Sequence, residues 1–219
     1  MSRFARLAFT DTVRRVQQQE GTRPRNHGDL GAAVGLDPDP LGERESEFIG
    51  ERDGFYLATV GETGWPYVQF RGGPEGFVHV LDEHTLGYAD VRGNREYITN
   101  GNLRTDGRAA LFFMDYSRRS RLKLFGRTET RWPEDDPELT DSVCRVRTEG
   151  RVERVVLIRG EGFDWNCPKH IPRRYTEREL APTRERLSRL ESENSELRSR
   201  LRALGADPDE LRGDERSGG

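Results

Sequence analysis

Between Asp53 and Gly160 the chain is a succession of short β-forming stretches joined by tight turn signals, with one short helical pattern among them. Phe55-Tyr56-Leu57-Ala58-Thr59-Val60 runs into the turn Gly61-Glu62-Thr63-Gly64, and Trp65 to Phe70 returns as a second strand. Phe77 to Leu81 and Thr85 to Asp90 repeat the arrangement around Asp82-Glu83-His84, which makes His84 a turn residue. Arg95 to Asn100 reads as a short helix. Arg108 to Asp115, Leu122 to Arg131 and a longer stretch from Arg151 to Gly160 follow as strands. Strands at hairpin spacing with a single helix between them specify a mainly β fold, a small antiparallel barrel with helical additions. The strand–helix alternation of a doubly wound sheet is missing, and so are a G-x-G-x-x-G fingerprint and a P-loop. Classical dinucleotide and nucleoside triphosphate sites are thereby disfavoured.

Strict hydrophobics are 32% of the 219 residues and charged residues 34%, so a core of this kind cannot fill the whole chain. The shortfall falls at the two ends. Residues 1–52 read as a helical arm and loop: Thr10 caps a helix that runs to Gln19 and ends at Gly21. A Pro- and Gly-rich loop from Gly21 to Gly42 carries His27, and a short helix follows from Glu43 to Arg52. The aromatic start of the arm, Phe4 and Phe9, suits it to pack over a dimer partner. Residues 53–175 hold the barrel, residues 176–205 a polar helix, and residues 206–219 a disordered tail. A net charge of −3 supplies no basic field for nucleic acid or anionic membranes. The longest aliphatic run, Val155-Val156-Leu157-Ile158, is far too short to span a bilayer, and Met1-Ser2-Arg3-Phe4 lacks the apolar run of a signal peptide. A cytoplasmic protein is the expectation.

The 176–205 segment carries a heptad pattern. Leu187, Asn194 and Leu201 fall at position a, and Leu190, Leu197 and Leu204 at position d. The flanking pairs Glu179–Arg184, Arg186–Glu191 and Glu193–Arg198 would face each other with opposite sign in a parallel dimer, and Asn194 is the single polar a residue that fixes register. Pro182 suits a helix start, which weakens the first pair. The alternative is one amphipathic helix packed on its own barrel.

Two stretches are dense in candidate binding residues, Trp65 to Gly73 and Tyr88 to Tyr97. Gln69 and Arg71 lie two apart on a strand and so share a face. After Asp90 a strand gives way at Gly93-Asn94-Arg95 to a helix start. Free backbone N–H groups and arginines brought together there make a phosphate seat.

From Phe55 to Arg131 the chain resembles the flavin-binding split barrel of the pyridoxamine 5′-phosphate oxidase-like superfamily. The likeness rests on the turn Ala58-Thr59-Val60-Gly61-Glu62-Thr63-Gly64-Trp65-Pro66, on Gly93-Asn94-Arg95, and on Asn100-Gly101-Asn102-Leu103 before Arg108-Ala109-Ala110-Leu111-Phe112-Phe113. It implies an FMN-binding homodimer with flavins at the interface, acting as an oxidoreductase on a small molecule. Gln69 and Arg71 would contact the flavin phosphate and ribityl chain, Asp90 the ring or ribityl, and Gly93, Asn94 and Arg95 the phosphate. Arg121 and Lys123 match a strand that approaches the isoalloxazine, often from the other subunit, and Trp165 a tryptophan flanking the flavin. The oxidase proper carries an R-L-H-D-R type signature for its substrate phosphate. Here the region reads Trp165-Asn166-Cys167-Pro168-Lys169-His170-Ile171, which looks like the oxidase-related branch instead. Related barrels carry haem or a deazaflavin, and a non-catalytic flavin carrier is a further alternative. Cys167 and His170 are the candidate catalytic pair: a cysteine beside a flavin is an inert hydrophobe, a redox partner or a nucleophile, and His170 is a candidate proton donor. Cys-x-x-His is only half a metal site and Cys144 is the one other thiol, so no metal is expected.

Overall fold

Val155 to Ile158 is apolar at every position because both faces of its strand are covered. In the computed structural model, which describes residues 2–22, 37–165 and 167–207, Val156 and Ile158 face one core with Phe55, Leu57, Leu111, Phe113, Leu122 and Leu124. Val155 and Leu157 face a second, smaller one with Ala89 and Val143. The loop holding His27, most of the tail after Gly205, and Asn166 lie outside the described residues.

The sheet has seven strands: β1 (Gly54–Val60), β2 (Pro66–Gly72), β3 (His79–Asp82), β4 (Thr85–Val91), β5 (Arg108–Asp115), β6 (Ser120–Arg131) and β7 (Val152–Trp165). They pair antiparallel in the order β2-β1-β5-β6-β7-β4-β3. The sheet curls until its two ends face each other. The Phe55 ring on β1 lies 5.7 Å from Tyr88 on β4, and Arg71 on β2 reaches Asp90 on β4. No ladder joins β2 to β3, so this is a mainly β, split barrel with helical additions.

Local chemistry explains the turns. Gly64 sits at φ +81, a left-handed conformation that closes the β1–β2 hairpin and that a side chain would strain. β7 continues five residues past the expected Gly160 end. A register shift between Phe125 and Gly126 on β6 absorbs the Gly160-Glu161-Gly162 segment, which in sequence reads as a stop.

Helices α1 (Arg3–Ala8), α2 (Asp11–Gln19) and α3 (Glu43–Gly50) precede the sheet. Thr10 caps α2 as expected, accepting from the Val13 N–H. α1 has no counterpart among the expected helices: Ser2 Oγ caps it by accepting from the Ala5 N–H at 3.2 Å, and Asp39 adds a distant hold, accepting from the backbone N–H of Arg3 at 2.7 Å and of Phe4 at 3.1 Å. Gly162 leaves room for the α1 backbone, since a Cβ there would run into Phe4 and Asp39. Phe4 stacks on Phe125 of its own chain at 4.8 Å, so the arm's first aromatic is spent within the protomer. α5 (Pro137–Val143) begins on an Asp136 cap with Pro137 in its first turn and seals the second core through Val143.

Residues 173–207 belong to a second compact unit. Its helix α6 (Glu177–Ala203) starts close to the expected residue 176, five residues before Pro182, although a proline by itself suits a helix start. The capping box decides this: Glu179 N–H donates to Thr176 Oγ1 at 3.2 Å and Thr176 N–H donates back to Glu179 Oε2 at 2.8 Å. Two satisfied ends of that kind outweigh the single backbone bond that Pro182 cannot make. Among the described residues no helix is long and apolar enough to cross a membrane.

One ion pair ties the end of α3 to the end of β5. Arg52 Nη1 lies 2.7 Å from Asp115 Oδ2, with both side chains almost fully buried. Burial pushes the Asp115 carboxyl up, but the Arg118 backbone N–H, the Arg52 guanidinium and the Ser117 hydroxyl together hold it below its ordinary value. A depressed carboxylate contributes stability above its unfolded pKa of about 3.9 and loses it as pH falls through the lower folded value. Asp115→Asn should therefore cost on the order of 2–3 kcal/mol at pH 7. In urea unfolding the gap from wild type should close below about pH 4.

Candidate functional site

Period-two geometry on β2 separates two faces. Tyr67, Gln69 and Arg71 are half-buried toward the barrel seam, while Val68 and Phe70 point outward. Across the seam, Asp90 near the end of β4 is buried and accepts from Arg71 Nη1 at 3.1 Å. Its other oxygen lies 3.5 Å from Arg154 Nε, the register partner of Asp90 on β7. One carboxylate thus holds guanidinium groups from two other strands. Arg71 Nε is buried with no hydrogen-bond partner among the described residues. An N–H in that condition is costly unless a ligand supplies the acceptor.

Beyond Asp90 the chain turns through Gly93, Asn94 and Arg95 into helix α4 (Ile98–Thr105), three residues later than the expected helix start. The delay has a backbone cause: Arg95 at φ +65 and Tyr97 at φ +54 are left-handed, so neither can begin a right-handed helix. Asn94 Oδ1 accepts from the Glu96 N–H at 3.2 Å and steadies the turn. Three side chains spaced along one face of α4 dock it on the β1–β2 hairpin: Thr99 donates to Gln69 at 2.7 Å, Asn102 to Thr59 at 3.0 Å and Thr105 to Glu62 at 3.1 Å. Tyr97, the N-cap, offers no side-chain acceptor to the first-turn N–H groups. The helix start is left open to an anion.

The result is a pocket of about 140 Å³ on which Gln69, Arg71, Asp90, Gly93, Asn94 and Arg95 all converge, together with the first turn of α4. Among the contributors outside the two stretches singled out in the sequence are Thr99 and Glu153. Glu153 accepts from the Tyr97 hydroxyl at 3.1 Å and from Arg92 Nε at 3.2 Å. Burial raises the Glu153 carboxyl, but the Tyr97 hydroxyl, Arg154 and Arg92 outweigh it and hold the group low, so it stays ionised.

The remaining candidates lie elsewhere in the chain. Arg121 and Lys123 alternate on β6, and Lys123 Nζ is 3.6 Å from Asp164 and 5.4 Å from the Phe4 ring. Trp165 donates its indole N–H to the buried Glu45 at 2.6 Å, meets Phe48 edge-on at 4.7 Å and carries the Arg44 guanidinium at 4.2 Å. Cys167 is half-buried and His170 is exposed at φ +64, in the turn after β7. None of these five lines the pocket on the seam. Among the described residues no three His, Cys, Asp or Glu side chains are grouped to hold a metal ion.

A curled antiparallel sheet left open between β2 and β3 is a split-barrel architecture. The family model for pyridoxamine 5′-phosphate oxidase matches residues 41–157, more than half of the chain, and the chain belongs to that family. No functionally curated protein matches it. The solved structures similar to it include the following three. A variant of HupZ from Group A Streptococcus is 19% identical, over 57% of this chain and 99% of its own, with a TM-score of 0.47. A candidate pyridoxamine 5′-phosphate oxidase from Lactobacillus delbrueckii is 24% identical over 59% and 97%, with a TM-score of 0.45. An F420 reductase is 21% identical over 54% and 94%, with a TM-score of 0.39.

The left-handed turn stores strain where the anion would bind. A non-glycine residue in that region costs about 1–2 kcal/mol, while glycine adds roughly 0.5–1 kcal/mol of unfolded-state entropy. The first term wins. Arg95→Gly should raise the unfolding free energy by about 0.5–1 kcal/mol in urea titrations.

Proposed function

We propose that the protein is an FMN-binding oxidoreductase of this family, acting on a small molecule as a homodimer. The observation that carries the reading is the convergence of Arg71, Arg95 and the uncapped start of α4 on a pocket sized for a phosphate group. A dianionic phosphomonoester would supply the acceptors that this donor set lacks. Arg71, Asn94, Arg95 and the first-turn N–H groups of α4 would hold it, Asp90 would keep Arg71 aimed at it, and Gln69 would fix the helix through Thr99. Bound flavin would supply two-electron chemistry that the side chains of this chain lack.

The site would be completed by a second copy. The outer face of β1 and β2 exposes Tyr56, Val68 and Phe70, with Tyr56 and Phe70 packed edge-to-face at 5.4 Å. On β6 of the partner copy, Arg121 and Lys123 would stabilise negative charge on the reduced ring. Trp165 would border it, and His170 would act as proton donor with Cys167 beside it. Pairing through α6 would join the same two copies. Leu187, Leu190, Leu197 and Leu204 are each about half exposed or more, as a parallel seam requires.

Titration with FMN and with riboflavin separates this reading from its rivals. FMN should bind with a flavin spectrum, riboflavin at least about tenfold more weakly, and Arg95→Ala should erase most of that difference. Equal affinity for the two flavins, or a Soret band with no flavin uptake, would count against it. Sedimentation tests the assembly: Leu190→Ala with Leu197→Ala should weaken the dimer, and an unchanged equilibrium would remove α6 from it.

A further inference from the structure

Beside the phosphate seat lies a larger cleft of about 650 Å³, within the range of roughly 300–1,000 Å³ typical of small-molecule sites. We propose that this cleft is a separate site for a planar aromatic carboxylate.

Its wall is an aromatic platform. Trp132, just after β6, is 52% exposed, and Tyr97 is 40% exposed. The Arg154 guanidinium lies 5.4 Å from the Tyr97 ring centre and 5.8 Å from that of Trp132. Arg154 is itself pinned, by Asp90 at 3.5 Å and Glu153 at 3.3 Å, so both rings are held on a fixed spacer. A flat ligand stacks on the open face of Trp132 at little entropic cost.

The rim supplies charge. Arg104 on α4 and Arg151 ahead of β7 form no ion pair among the described residues. Glu153, by contrast, is already committed to Arg92, Arg154 and the Tyr97 hydroxyl. Two uncommitted guanidinium forks beside an aromatic wall match an aromatic ring bearing a carboxylate. A phosphate is less well served. Tyr97, Gly101 and Arg104 follow the spacing of one side of α4, so the cleft faces the flank of the helix, whereas the N–H groups of its first turn serve the neighbouring pocket. The two sites share Tyr97, Asn100 and Glu153 as lining, and Asp90 links Arg71 of one to Arg154 of the other. A ligand in the cleft would sit next to whatever the phosphate seat anchors. This inference does not require that anchor to be FMN.

The probe is 2-naphthoate, titrated into the full chain by calorimetry and by tryptophan fluorescence, with and without saturating FMN. Naphthoate should bind in both conditions and quench Trp132. Cyclohexanecarboxylate and 2-naphthalenemethanol should each bind at least about tenfold more weakly. Arg104→Gln combined with Arg151→Gln should lose about tenfold or more in naphthoate affinity. These two side chains are exposed, so the melting temperature should not move. Trp132→Phe should abolish the quench while retaining most of the binding. No binding by the wild type, affinity indifferent to the arginine pair, or displacement of naphthoate by FMN would overturn the proposal. The last result would assign the cleft to the flavin ring itself. FMN binding measured alone on the same protein reports on the flavin reading independently.

Discussion

A single buried carboxylate organises the seam of this barrel. Asp90 comes from β4 and takes Arg71 from β2 across a gap that backbone ladders leave open, while also holding Arg154 on the neighbouring β7. A buried ion pair of this kind is an indifferent source of net stability, because desolvation offsets much of the attraction. Its value lies in direction: Asp90 fixes where two guanidinium groups point. One looks into the phosphate-sized pocket and keeps an N–H in reserve; the other separates two aromatic rings in the adjoining cleft. Removing Asp90 would leave two buried cations facing each other.

The α4 start depends on the same region. The chain leaves β4 through two left-handed non-glycine residues, an arrangement that costs free energy and persists because the rest of the structure imposes it. Three hydrogen bonds from α4 to the β1–β2 hairpin provide that imposition, and Gln69 is one of their acceptors. Gln69 therefore contributes as a strut under the helix. Arg95, which a glycine would relieve of its strain, is also one of the two arginines on the seam pocket, with Arg71.

How much of this was legible without coordinates follows from the range of each interaction. Strand β5 keeps the expected Arg108–Asp115 bounds because its alternation is local. The cluster of Gln69, Arg71, Asp90, Gly93, Asn94 and Arg95 was legible too, since period-two spacing and a strand-to-helix turn are short-range signals. Glu153 and Arg154 were not. They matter only through the register that sets Arg154 opposite Asp90, more than sixty residues away in the chain. α1 was hidden in part for the same reason: Ser2 caps it locally, but Asp39 takes two of its first N–H groups from outside the helix. α5 carried a readable signal in Asp136-Pro137, a cap followed by a first-turn proline. Trp165 has partners that its motif does not announce, since Glu45, Phe48 and Arg44 all come from a helix some 120 residues earlier.

The central claim is that the seam pocket seats a phosphate on the open start of α4. Amide hydrogen exchange of Ile98, Thr99 and Asn100, followed with and without FMN, tests it most directly. The account predicts marked slowing at these amides on FMN addition and none on addition of riboflavin at matched occupancy. Unchanged exchange there, with protection confined to other strands or to the turn around Cys167 and His170, would contradict it.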